Sequence, residues 1–370
     1  MSINGGPDLV QLLTPEGVLH EHPAYALELT DDQWRDRYRD LVMVRRLDTE
    51  ATSLQRQGEL GLWAPCQGQE AAQVGAARAT RPADRIFPTY REHGMAYVRG
   101  VDPVALLGLF RGTTLGGWDP ADHGFSLYTI VIGDQTLHAV GYAMGIQRDG
   151  TDEAVLVCFG DGASSQGDVA ESFVYAAVND APVVFFCQNN QWAISEPLER
   201  QTRIPLFKRA AGYGFRGVRV DGNDVLAVEA VVTAALDRVR EGGGPILVEA
   251  FTYRMGAHTT SDDPTRYRTT AEGEAWRLKD PIERVRAYLV RHGLVDAAFL
   301  AEVDALAEEL GADMRARCRA LPDPLPTSMF DNVYATVHPA IERDRRWLVE
   351  YLAGFAPEGS AVAAGPAGGR

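Results

Sequence analysis

The sequence predicts an α/β protein: a doubly wound, mainly parallel sheet with helices on both faces, followed by a helical C-terminal region. Three observations carry this prediction. The segments "AVLVCFG" (154–160), "PVVFFCQ" (182–188) and "PILVEAFTYR" (245–254) open on unbroken or nearly unbroken apolar runs, as strands covered on both faces do. Helical patterns such as "DVAESFVYAAVN" (168–179) alternate with them, which is the rhythm of parallel βαβ units. The chain has 370 residues, 45% of them hydrophobic, enough to bury the large core that such a sandwich needs.

Taken in order, residues 1–29 read as a polar arm with scattered apolar side chains, expected to pack on the surface of this chain or of a partner. The main domain runs from 30 to 345. It opens on a long helix: Thr30 and Gln33 have capping-box spacing, helix formers fill the body, and Gly58 ends it. "GQEAAQVGAARAT" (68–80) predicts a second helix. From about residue 84, short loops with glycine and proline separate apolar stretches, up to the glycine-rich "TTLGGWDPADHGF" (113–125). A helix is expected around "TLHAVGYAMGIQ" (136–147), and another from about Val225. Residues 271–320 are charged and mostly helical in pattern, and the low-complexity stretch 356–370 is expected to be disordered.

Composition excludes some functions. A net charge of −15 lacks the basic footprint of a protein that wraps nucleic acid. Cys66, Cys158, Cys187 and Cys318 are far apart and form no C-x-x-C pair, so they read as core thiols in a reducing compartment. No apolar run approaches the roughly 18 residues of a membrane span. The start, "MSINGGPDLVQLL", has neither signal-peptide nor transit-peptide character, so a cytoplasmic location is expected.

The chemistry is concentrated at two strand ends. After "AVLVCF" come Gly160, Asp161 and Gly162; after "VVFFCQ" come Asn189 and Asn190. Open α/β sheets bind ligands beyond the carboxyl ends of their strands. A carboxylate and amide oxygens converging there, with the helix from about Gly167 pointing its amides into the same crevice, suit Mg²⁺ bridged to a diphosphate. Rival phosphate motifs fail. Gly162 to Gly167 is followed by Asp168 where a Walker loop needs lysine, and Ser165 stands where a dinucleotide fingerprint needs its third glycine.

Gly-Asp-Gly at 160–162 followed by Asn-Asn at 189–190, with "TYREHG" (89–94), "VDGND" (220–224) and "TYRMGAHTTSDDPTRYR" (252–268), resembles the alpha subunit of two-subunit 2-oxo acid dehydrogenases. These are the decarboxylating components of pyruvate and branched-chain 2-oxo acid dehydrogenase complexes. The resemblance covers about residues 30–340 and implies a thiamine-diphosphate-binding fold with thiamine diphosphate and Mg²⁺ as cofactors. It implies that Asp161, Asn190 and the carbonyl of Trp192 bind Mg²⁺, and that Gly162 and Ala163 give amides to the diphosphate. Tyr90 and Arg91 match the pair that grips the diphosphate, a task suited to the fixed donors of a guanidinium. Ile130 and Ile132 fall where the family holds the aminopyrimidine. Gln188 lies at a diphosphate contact that is arginine in some relatives, and His258 matches the active-site histidine.

The family places the glutamate that activates the cofactor on a second domain, and no second α/β array follows residue 270. The resemblance therefore implies half an active site, completed by a beta subunit in an α2β2 assembly. It further implies a small 2-oxo acid substrate, pyruvate or 2-oxoisovalerate, and acyl transfer to the lipoyl domain of a dihydrolipoyl acyltransferase. "DDPTRYR" and "QLLTPEG" lean towards the bacterial pyruvate type, many members of which accept branched chains too. An acetoin dehydrogenase alpha subunit, which shares these motifs, and a cofactor-binding scaffold without turnover are the alternative readings.

Overall fold

The computed structural model describes residues 8–355, so the tail expected at 356–370 lies outside the described residues. Its elements are β1 (Leu9–Val10), α1 (Asp31–Arg56), α2 (Glu70–Arg78), β2 (Arg85–Phe87), α3 (His93–Val98), α4 (Pro103–Arg111), α5 (Pro120–His123) and α6 (Asp134–Asp149). There follow β3 (Val155–Gly160), α7 (Gly167–Val178), β4 (Val183–Asn189), β5 (Trp192–Ala193), β6 (Glu196–Pro197), α8 (Leu198–Gln201), β7 (Arg216–Asp221), α9 (Val225–Arg240) and β8 (Ile246–Phe251). Four helices close the described chain: α10 (Thr270–Arg277), α11 (Pro281–Arg291), α12 (Ala297–Ala320) and α13 (Pro339–Ala353).

Six strands form one parallel sheet in the order β1-β7-β8-β4-β3-β2. Side chains on successive strand residues enter opposite layers. Leu156, Cys158, Val184, Phe186, Val248 and Ala250 pack on one face, with residues of α1, α2 and α9. Val155, Val157, Phe159, Val183, Phe185 and Cys187 pack on the other, with residues of α6 and α7. That is why the strands read as continuous apolar runs: both faces are covered. All four cysteines are buried free thiols.

The capping box of α1 is present, with Thr30 and Gln33 each bonding the other's backbone N–H, and Gly58 follows the helix at φ +83°. One element is added and one expectation is corrected. Residues 216–221, which no strand pattern marks, form β7. Their run is broken by Arg219 and Asp221, whose charges are met by Glu249 at 3.3 Å and Arg284 at 2.9 Å. The arm is also more than a surface feature. Leu9 and Val10 extend the sheet beside β7, Leu13 is fully buried, and the N–H groups of Leu12 and Leu13 both donate to Asp224 (2.7 and 2.6 Å).

Strand register sets the site. Gly160 pairs with Gln188, and Asn189 with Phe251, so the carboxyl ends of β3, β4 and β8 finish nearly level. The loops leaving those ends converge on one cavity.

Candidate active site

A cavity of about 300 Å³ opens beyond β3 and β4, and every residue implicated by the sequence except Ile130 and Asn189 lines it. Ile130 does not line it, whereas Thr129, Val131 and Ile132 of the same loop do. The loop lacks regular structure before α6, so its sequence carried no periodicity from which to tell inward from outward side chains.

On the strand side, Asp161 is buried at the end of β3 and accepts a hydrogen bond from Gln201 Nε2 at 2.7 Å. It makes no ion pair among the described residues, and burial pushes its carboxyl up to about 6. A carboxylate so placed has a strong electrostatic demand for a cation. The next residue must be small: a Cβ on Gly162 would come within 2.8 Å of Ala193 Cβ, where the β5–β6 hairpin closes over it. Gly162–Ser165 forms a 3-10 turn, and only after it does α7 begin. The backbone facing the cavity is therefore that of Gly162 and Ala163, whereas the first residues of α7 do not line it.

The two asparagines part company. Asn189 turns into the fold and donates to Glu249 at 2.7 Å; Asn190 alone lines the cavity. Asn190 Oδ1 accepts the N–H of Trp192 (3.2 Å), and its Nδ2 donates to Gln69 Oε1 (2.8 Å). The intervening turn holds Gln191 at φ +71° and Ile194 at φ +57°. Non-glycine residues reach that region at a cost of about 1–3 kcal/mol, and such strain persists only when surrounding contacts fix it. Here Gln191 Nε2 donates to the Thr252 carbonyl (2.7 Å) and Arg254 donates to the carbonyls of Trp192 (3.1 Å) and Ile194 (2.7 Å).

The opposite wall is cationic. Arg91 is buried, donates to the carbonyls of Pro65 (2.7 Å) and His258 (2.9 Å), and has no carboxylate within ion-pair distance among the described residues. Tyr90 lies beside it, its ring edge-on to His258. His258 Nδ1 is 3.2 Å from Arg91 Nη2 and 3.4 Å from Arg254 Nη1. Guanidinium groups only donate, so Nδ1 is the acceptor and the imidazole proton sits on Nε2. Burial, then Arg91 and Arg254, hold this histidine down to about 3, so it is neutral near pH 7.

Gln188 is engaged inside the wall. It donates to Glu92 (2.7 Å) and accepts from Gln73 (3.2 Å). The buried Glu92 carboxylate also takes the N–H and hydroxyl of Thr89, so its lone pairs are committed to the loop that carries Tyr90 and Arg91. Sequence reasoning missed Gln69, Glu92 and Gln135, all of which line the cavity. "TYREHG" did contain Glu92, but Gln69 and Gln135 sit at helix starts with nothing in sequence to separate them from ordinary first-turn residues.

Residues 38–320 match the family model of the dehydrogenase E1 component. The chain belongs to the dehydrogenase E1 component family. A 3-methyl-2-oxobutanoate dehydrogenase subunit alpha from Mycobacterium tuberculosis is 46% identical over 354 residues, covering 95% of this chain and 96% of the relative. The pyruvate dehydrogenase E1 component subunit alpha of Bacillus subtilis is 38% identical over 286 residues (77% of each chain), and that of Staphylococcus aureus 39% over 290 residues (78% of each). The relatives thus include both a branched-chain subunit and pyruvate subunits, the former with more identity and coverage.

Membership in the E1 component family implies dependence on thiamine diphosphate. The cavity fits the charged part of that molecule: it sets an unneutralised carboxylate and an amide oxygen on one wall and an unneutralised guanidinium on the other. A diphosphate with its divalent cation complements both.

Proposed function

We propose that the chain is the alpha subunit of a 2-oxo acid dehydrogenase E1 component, catalysing oxidative decarboxylation of a branched-chain 2-oxo acid, 3-methyl-2-oxobutanoate, with pyruvate a poorer substrate. The observation that carries this reading is the near-full-length identity to a 3-methyl-2-oxobutanoate dehydrogenase subunit alpha, together with a cavity of matched charge at the strand ends. The acyl product passes to the lipoyl group of a dihydrolipoyl acyltransferase.

Mg²⁺ is held by Asp161, Asn190 and the Trp192 carbonyl; that carbonyl has a second lone pair besides the one facing Arg254. Gly162 and Ala163 present backbone to the diphosphate, and Arg91 and Tyr90 grip it from the facing wall. Thiamine diphosphate, when bound, supplies the nucleophilic carbon and the electron sink for decarboxylation. His258 offers a neutral Nε2–H donor, able to hold a developing negative charge on the substrate's oxygen without itself titrating near neutrality. Ile132 and Val131 contribute apolar side chains to the cavity lining.

The cavity is also incomplete in a way that supports a partner. Among the described residues Glu92 is the only glutamate in its lining, and Thr89 and Gln188 occupy its carboxylate. The activating carboxylate is therefore supplied by a beta subunit, in an α2β2 assembly. Reconstitution tests this. With beta subunit, Mg²⁺ and thiamine diphosphate, 3-methyl-2-oxobutanoate should drive reduction of an artificial electron acceptor at higher kcat/KM than pyruvate, and acetoin should not. Absence of any 2-oxo acid-dependent reduction would overturn the reading.

A further inference from the structure

Gln69 has a buried polar group that the fold leaves unanswered. It immediately precedes α2, is 1% exposed, and lines the cavity. Its Oε1 accepts from Asn190 Nδ2 at 2.8 Å, but its Nε2, also buried, has no hydrogen-bond partner among the described residues. The orientation of both amides is fixed by chemistry. The Trp192 N–H can face only an oxygen, which sets Asn190 Oδ1 on that side and Nδ2 towards Gln69. Nδ2 can face only an acceptor, which sets Gln69 Oε1 towards Asn190 and leaves the Nε2 donor over. A flip of either amide would oppose two donors or two acceptors.

We infer that Gln69 is a binding residue of the site: Oε1 locks Asn190 with its oxygen available to the cation, and Nε2 donates to an oxygen of the bound diphosphate. A buried amide donor without a partner costs free energy, and an anionic oxygen is the ligand that recovers most from it. The inference rests on the reading that the cavity holds Mg²⁺ and thiamine diphosphate.

The two functions of Gln69 separate by substitution. Gln69→Glu keeps an acceptor for Asn190 and loses the donor; Gln69→Met keeps the length and loses both. Each variant is prepared with its beta subunit and titrated with thiamine diphosphate at fixed Mg²⁺, following the quench of tryptophan fluorescence to which Trp192 in the lining contributes. Gln69→Glu should raise Kd about tenfold or more, and Gln69→Met should raise it at least as far and also raise the Mg²⁺ concentration needed for half-saturation. The melting temperature without cofactor should change little in either, and kcat should return towards wild type at saturating cofactor. An unchanged Kd in Gln69→Glu would overturn the donor assignment, and an unchanged Mg²⁺ requirement in Gln69→Met the locking of Asn190. If the glutamate variant does not assemble, the Kd of Gln69→Met decides. Failure of the wild type to bind would instead refute the cofactor reading itself.

Discussion

Arg91 illustrates how one side chain joins two parts of the site. Its guanidinium spans the Pro65 carbonyl and the His258 carbonyl while leaving its charge unneutralised at the cavity wall. A lysine has neither the planar fork nor the reach to serve both carbonyls and an anion together. Arg91→Lys should therefore weaken thiamine diphosphate binding by roughly tenfold to a hundredfold, the loss of one or two charge-assisted hydrogen bonds, as read by calorimetric titration. His93 makes a different point. It stacks on Trp63, bonds Tyr128 and the Ala64 carbonyl, and burial pushes it down to about 3. The unfolded chain takes up this proton below about 6.5 and the folded chain does not, so the stability His93 contributes is whole above that pH and falls away on acidification towards 3. In urea titrations, the stability difference between wild type and His93→Gln should shift against wild type by up to about 1.4 kcal/mol per pH unit from 6.5 downward. A pH-independent difference would show that His93 takes up its proton alike in the folded and the unfolded chain.

At the scale of elements, Asp224 ties the arm to the sheet. One carboxylate oxygen accepts the N–H groups of Leu12 and Leu13, the other those of Leu226 and Ala227 at the start of α9. Four backbone donors on one buried carboxylate favour its charged form, yet burial outweighs them and pushes the group up to about 6. Asp224→Ala strips a helix cap and leaves two buried N–H groups of the arm without partners. It should cost about 3–5 kcal/mol of unfolding free energy, measured by urea denaturation. The same element explains why the arm was legible only in part. The run "LVQLL" is too short to reveal strand character, and the strand it pairs with carries charges that β8 and α11 neutralise.

Across the whole molecule, cohesion is uneven. α12 buries Met314 and Cys318 against Leu47 and Leu54 of α1, so the C-terminal helices up to residue 320 are part of the body. Beyond them, α13 has no buried residue, and Trp347, Tyr351 and Phe355 lie in an exposed row. Little apolar surface is withdrawn from water there, and burial is what stabilises a helix in a folded protein. Truncation before Pro326 should therefore leave the melting temperature of the isolated chain within about 4 °C of wild type, a stability change of about 1 kcal/mol or less. A larger fall would mean that residues 326–355 support the core.

The sequence by itself determined the doubly covered parallel sheet, the capped first helix and the strand-end placement of Asp161 and Asn190, because apolar periodicity, capping spacing and glycine positions are local properties of a chain. Other features were decided only by tertiary structure. Whether Asn189 or Asn190 faces the cavity depends on Glu249 waiting on the next strand. Whether Ile130 or Val131 lines the cavity depends on the course of an irregular loop. Gln69 became visible as a donor only when Asn190, 121 positions away, turned its amide towards it. Hydrogen bonds of buried polar groups are settled by long-range neighbours, and no pattern along the chain encodes them.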